Sequence, residues 1–408
     1  MQLSVFSLIF TLTFCSFGSL EILGSSGAKP ISLRGSFPKN FSTLKRVLKE
    51  DLREIKVGYS LFAMPWVQAP SSTIRRDGLG PHFNAVSCMS CHDGMGRGAP
   101  PGVRHKFEPS LLFKSNSKEV HKKFGPHLSS KALPNLKAEA LISITTEVFG
   151  KFSLSKPLYK LKGKIAEVSP RISPHLAGLG ELEKIKSSDI RENLKRSSGK
   201  LSVINGRIAR FGWKATQIDL AHQVAAAFSA DMGITSYLFP KENCQDFDQA
   251  CQNAINGDDE EGVEIREDHL GFVIKLMRSI APPKPTANAP RGRELFKKVN
   301  CNRCHRESYK IDTLVIRPYT DLLLHDMGSE LSDKGDGPNS RLWRTAPLWG
   351  IGSQKLVNGH THLMHDGRAR NVKEAILWHF GEARQSREKF LRLSIKERNE
   401  LIRFVKTR

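Results

Sequence analysis

Two pentapeptides of the form Cys-x-x-Cys-His constrain this chain more than any other feature. They are Cys88-Met89-Ser90-Cys91-His92 and Cys301-Asn302-Arg303-Cys304-His305. The spacing is that of c-type haem attachment. Each cysteine pair adds to the two vinyl groups of one haem, and the His that follows ligates its iron. Two motifs therefore imply two covalent haems, with His92 and His305 as proximal ligands. A structural zinc cage also uses Cys pairs. It needs no His after each pair, and its pairs usually lie roughly 15–20 residues apart. Here they lie more than two hundred residues apart. A thioredoxin-like reading requires a surrounding βαβ pattern, which the sequence lacks.

The chain is long enough, at 408 residues, for two or three domains and a sizeable core. A hydrophobic content of 39% beside 25% charged residues is that of a soluble globular protein. The formal net charge is +22. Roughly four haem propionates would offset part of it, and the remainder suits an acidic redox partner or an anionic membrane surface. Lys and Arg are dispersed, and no basic stripe carries interleaved aromatics, so a nucleic-acid partner is not indicated.

Four of the seven cysteines belong to the motifs. Cys244 and Cys251 flank a polar loop and can close a local disulfide in an oxidising compartment. Cys15 lies in an apolar run from Leu3 to about Leu20. That run reads as a signal h-region, so residues 1–28 are assigned as a signal peptide or N-terminal anchor. The preceding Met1-Gln2 carries no positive charge, and the run is short for a membrane span. Leu12-Thr13-Phe14-Cys15 loosely matches a lipoprotein cleavage site, so a lipid anchor would require acylation of Cys15. Attachment of c-type haem takes place outside the cytoplasm, which points to the periplasm.

Gly58-Tyr59-Ser60-Leu61-Phe62 precedes the first motif, and Gly292-Arg293-Glu294-Leu295-Phe296 precedes the second. The shared Gly-x-x-Leu-Phe is a weak internal repeat, consistent with two related domains. The proline-rich run from Ala281 to Pro290 reads as a linker. It divides an N-terminal haem domain with insertions, 29–285, from a C-terminal one, 286–408. Apolar periodicity predicts helices at 216–230, 264–280, 372–380 and 386–406. Sustained strand alternation is scarce. The acidic segment 258–268 reads as an exposed turn or helix start, with a Ca2+ loop as the alternative.

Several longer stretches carry a resemblance. They are Asp77-Gly78-Leu79-Gly80-Pro81 with Phe83-Asn84-Ala85; Gly178-Leu179-Gly180; Arg210-Phe211-Gly212-Trp213-Lys214-Ala215; and Asp231-Met232-Gly233-Ile234-Thr235. Beyond the linker they are 321–328, 343–350 and His365-Asp366-Gly367-Arg368-Ala369-Arg370. From about Val57 onward the chain resembles the bacterial di-haem oxidoreductases, relatives of the di-haem cytochrome c peroxidases. The resemblance implies a mainly α fold of two cytochrome c-like helical domains, each with one covalent c-type haem. It also implies a redox-protein donor that reduces the C-terminal haem, and a small-molecule oxidant, peroxide first, that is reduced at the N-terminal haem.

For the second haem, Val372, Ala375, Ile376 and His379 share one helical face. His379 also stands at the distance from His365-Asp366-Gly367 where the resemblance places a distal ligand; Met327 is its rival. The resemblance makes Glu183 the acid–base residue of the first haem and Trp213 a relay between haems. The ordinary readings are a surface carboxylate and a packed aromatic. His105, His121, His127 and Met232 are further ligand candidates for the first haem. Arg344 and Arg368 are candidates to pair with propionates. Glu181 and His175 depart from the pattern of the relatives. A non-catalytic electron carrier and an O2-using oxygenase akin to the di-haem rubber-cleaving enzymes are the alternative functions.

Overall fold

The structure is a computed structural model. It describes residues 50–103, 110–115, 127–139, 141–161, 168–333 and 339–408, with isolated positions between 116 and 126. Of segment 1–28 only the short strand Ile22–Leu23 is described, paired with Val47–Leu48. Cys15, His105 and His121 lie outside the described residues.

Helix α1 (Asp51–Ala63) buries Ile55, Gly58, Leu61 and Phe62. That spacing turns one stripe inward. Asp51 and Glu54 occupy its first turn, where the helix dipole favours carboxylates, and both bind Lys275.

The chain then turns to β-structure. Strand β1 (Leu111–Ser115) pairs with β2 (His127–Leu128). Strands β3 (Ile142–Phe149) and β4 (Leu154–Leu161) form a long antiparallel hairpin. Strand β5 (Val168–Ile172) then pairs along the other edge of β1.

Helix α2 (Leu220–Met232) starts where the Asp219 carboxylate accepts the His222 N–H at 3.0 Å and ends at Gly233 in the left-handed conformation. Helix α3 (Glu267–Ser279) crosses α1 at Gly58, where a Cβ would collide with the Phe272 carbonyl. Helix α4 (Pro290–Lys298) opens on a proline, as first turns tolerate. Helices α5 (Val372–Leu377), α6 (Arg384–Arg392) and α7 (Ile395–Lys406) complete the chain. The helix predicted at 386–406 is two helices. Ser394 accepts the Glu397 N–H while the Glu397 carboxylate accepts the Ser394 N–H, a capping box that restarts the chain after Leu393. Helix α7 crosses α4 at Gly292, where a Cβ would collide with the Glu400 carbonyl.

The cores do not divide at the linker. The largest joins Leu61, Phe228 and Leu276 to Tyr309, Ile316, Leu322 and Trp349. A second packs Phe296 of α4, Phe390 of α6 and Phe404 of α7 around Tyr319.

The expected mainly α fold of two cytochrome c-like helical domains is not what the structure has. Among the described residues, helix accounts for 36% and strand for 17%, the latter spread over several small sheets. Most strands run two to five residues, too short to display a period of two. The longest pair, β3 with β4, is a ribbon exposed along much of β3 rather than the wall of a core. The acidic segment 258–268 forms turns that lead into α3. Its Glu264 is buried and accepts the amides of Thr235 (2.9 Å) and Gly257 (3.2 Å).

Candidate functional site

The second motif opens onto a cavity of about 260 Å³. Cys301–Arg303 form a single tight helical turn directly after α4, and Cys301, Cys304 and His305 all line the cavity. The His305 Nδ1–H donates to the Tyr319 carbonyl at 2.8 Å. That bond fixes the tautomer and leaves Nε2 for the cavity. His379 shares this wall with Val372, Ala375 and Ile376. Its Nδ1–H donates to the Ala375 carbonyl at 2.7 Å, which leaves its own Nε2 free to face inward. Burial lowers the pKa of His305 to about 4, and nearby His379 contributes in the same direction. Burial lowers the His379 pKa as well. Both imidazoles are therefore neutral near pH 7, the form that ligates a metal. Met327, the rival ligand, lines the same cavity.

The rest of the wall fits a planar apolar group with anionic edges. Phe296, Leu348, Leu363, Leu401 and Val405 supply the apolar part. Among the described residues, Arg344 donates to backbone carbonyls, Gly212 at 2.8 Å and Thr345 at 3.1 Å. Arg97 is buried, donates to the Met364 carbonyl, and leaves its Nε without a hydrogen-bond partner. Burial pushes both guanidiniums down to about 10, against the attraction of Asp366 on Arg97 and of Asp321 on Arg344. Two cavity-lining cations with no carboxylate at hydrogen-bond distance among the described residues suit propionates. Arg368 differs: it is bound to Asp366 at 2.8 Å and stands over the Trp378 ring.

The cavity is also lined by Arg97, His175, Trp213, Trp343 and His365. Trp213 donates its indole N–H to the Ile172 carbonyl at 2.9 Å, with the Arg97 guanidinium 5.3 Å from its ring. His365 stacks on Trp343 with ring centroids 3.7 Å apart. Burial and the surrounding Arg171, Arg368, Lys214 and Arg97 hold its pKa well below the ordinary imidazole value. In the sequence, Trp343 and His365 fall only within the resembling stretches, and Arg97 falls in none of them. Its only signal is its place in the glycine-rich loop after His92.

The first motif forms a short helical turn, Cys88–Cys91, capped by Ser87, whose hydroxyl accepts the Ser90 N–H at 3.2 Å. Ser173 donates to the Cys91 carbonyl at 2.6 Å. The His92 Nδ1–H donates to the Gly96 carbonyl at 3.3 Å, and burial lowers its pKa to about 4. The internal repeat acquires a meaning here. Phe62 lies 6.5 Å from the His92 ring, and Phe296 lies 6.3 Å from the His305 ring. The donor set of the first motif thus repeats that of the second, although its Cys and His do not line this cavity.

Glu183 lies elsewhere. Its carboxylate accepts the Leu220 N–H at 2.9 Å and binds Arg278 at 2.7 Å. Met232 is buried in the main core, and His127 is on β2. Cys244 and Cys251 are disulfide-bonded.

The sequence model of the family described as "Di-haem oxidoreductase, putative peroxidase" matches residues 21–117 and 158–408. Comparison with curated proteins finds no match. Among solved structures, the chain is similar to Kuenenia stuttgartiensis hydrazine synthase pressurized with 20 bar xenon. The identity is 14%, the TM-score is 0.35 and all of both chains is covered. That degree of likeness fixes neither fold nor chemistry.

Proposed function

The chain belongs to the di-haem oxidoreductase family, and on that premise we propose that it is a periplasmic, peroxidase-like enzyme with two covalent haems. One is held by Cys88, Cys91 and His92, the other by Cys301, Cys304 and His305. Each haem, when bound, supplies a one-electron iron centre. The observation that carries the reading is the pair of neutral imidazoles, His305 and His379, that line the cavity of the second motif. Each has its Nδ1 committed to a backbone carbonyl.

With His305 and His379 both as ligands, a haem bound here would lack an open position and would suit electron uptake from a donor protein. Arg344 and Arg97 would hold its carboxylate edges, and the apolar side chains that line the cavity would keep water from it. Trp213 lines the cavity beside Arg97 of the loop after His92, which supports a relay role toward the first centre. Peroxide, the proposed oxidant, requires a proton to move between its two oxygens there. Glu183 could serve only by leaving Arg278. The closed Cys244–Cys251 disulfide supports an oxidising compartment.

The test is His379→Ala in the purified holoprotein. The substitution should convert one low-spin centre to a high-spin or water-ligated one, with two haems per chain still found by pyridine haemochrome. An unchanged ferric spectrum removes His379 as a ligand. Wild-type spectra that are low-spin in every reduction state would favour an electron carrier over an enzyme.

A further inference from the structure

The family match is interrupted at 118–157, and the tip of the β3–β4 hairpin falls inside that interruption. We infer that this tip is a positioning element for the second centre, holding the short segment that presents His379; the inference rests on the ligand reading above.

Helix α5 has six residues and ends before His379. Isolated helices shorter than about 12 residues are marginal in water, so tertiary contacts must hold the imidazole in place. The hairpin supplies them on both sides of it. Phe149 stacks on Trp378 with centroids 5.3 Å apart and planes at 16°. It also meets Phe380 edge-on at 6.5 Å. The Ser155 N–H donates to the Glu374 carboxylate at 2.6 Å. Arg370, which is itself bound to Glu374, donates to the Ser153 carbonyl at 2.8 Å. Leu154 is buried in the same cluster as Ala375, Leu377 and Trp378. Residues 370, 374, 378 and 380 therefore all answer to one hairpin tip, while Ala375, Ile376 and His379 line the cavity. Glu374 is the polar pin. Burial alone would raise its pKa, yet its hydrogen bonds with Arg370 and the Ser155 amide lower it, so it stays ionised.

The experiment uses full-length holoprotein and carbon monoxide binding to the reduced form. His379→Ala sets the signature of an opened second centre. Phe149→Ala and Glu374→Gln should each raise carbon monoxide affinity at that centre roughly tenfold, the shift that about 1.4 kcal/mol of lost docking produces. Phe149→Tyr, which keeps the stack, should retain wild-type binding. So should Val148→Ala, on the exposed face of the same strand. Wild-type binding in both Phe149→Ala and Glu374→Gln, with His379→Ala opened, would overturn the positioning role. A silent His379→Ala would instead overturn the ligand reading, and the hairpin's role with it.

Discussion

His325 carries an electrostatic load that its neighbours alone explain. Its Nε2 meets Asp321 at 2.8 Å and its Nδ1 meets Glu382 at 2.9 Å, all within a nearly dry pocket. Burial by itself would lower the imidazole pKa; the hydrogen bonds, led by Asp321, hold it well above the ordinary 6.5. The ring is therefore a cation clamped between two carboxylates. A group with a raised folded pKa stabilises fully below its unfolded value and loses that contribution as pH rises through the folded value. Glu382 runs the other way: burial opposes, the His325 hydrogen bond prevails, and its pKa falls from 4.5 to about 2. Its contribution is present above pH 4.5 and fades as pH falls toward 2. His325→Gln should destabilise the chain by about 3–5 kcal/mol at pH 7, because buried Asp321 loses the cation that it meets at 2.8 Å. The variant should also lose the alkaline decline of the wild type. Thermal midpoints measured from pH 3 to 10 check both; a wild-type midpoint at pH 7 would mean that the ring is not charged.

Helix crossings are where the sequence was legible without being understood. The Gly-x-x-Leu-Phe repeat was visible, but not its cause. Gly58 and Gly292 let α1 meet α3, and α4 meet α7, at backbone distance. The Phe four residues on then reaches the His of each motif. Gly58→Ala and Gly292→Ala should each destabilise. Alanine gains up to about 1 kcal/mol of helix propensity, but a Cβ driven into a carbonyl carries an overpacking penalty of about 1–3 kcal/mol. Urea denaturation decides the balance, and a higher midpoint in either variant would mean that the crossing is loose. The same scale shows what could not be read. Helices α2, α3 and α5 follow apolar periodicity and were foreseen. The sheets were not, because strands such as His82–Phe83 owe their existence to a partner, Lys131–Ala132, distant in sequence. The break between α6 and α7 was readable in principle from Ser394-x-x-Glu397. The continuous apolar pattern overrode it.

For the whole molecule, the two Cys-x-x-Cys-His motifs were legible because each is a contiguous pentapeptide. The cavity around the second pair was not. Arg97, Trp213, Arg344, His365 and His379 converge only through tertiary structure, and no local period encodes that. Net charge, by contrast, is legible at once and acts at this scale. With 63 Lys and Arg against 41 Asp and Glu, the surface potential should draw an acidic donor toward the molecule before contact. Screening sets the test, since the Debye length falls from about 30 Å at 0.01 M salt to about 8 Å at 0.15 M. Over that range, the second-order rate of reduction by a small acidic redox protein should fall by about tenfold or more, as steered association does. A basic donor of similar potential should show the opposite trend. Stopped-flow absorbance of the haem bands follows both reactions. A rate with the acidic donor that ignores salt would mean that docking depends on apolar contact, and that the positive charge serves another purpose, such as attachment to an anionic membrane surface.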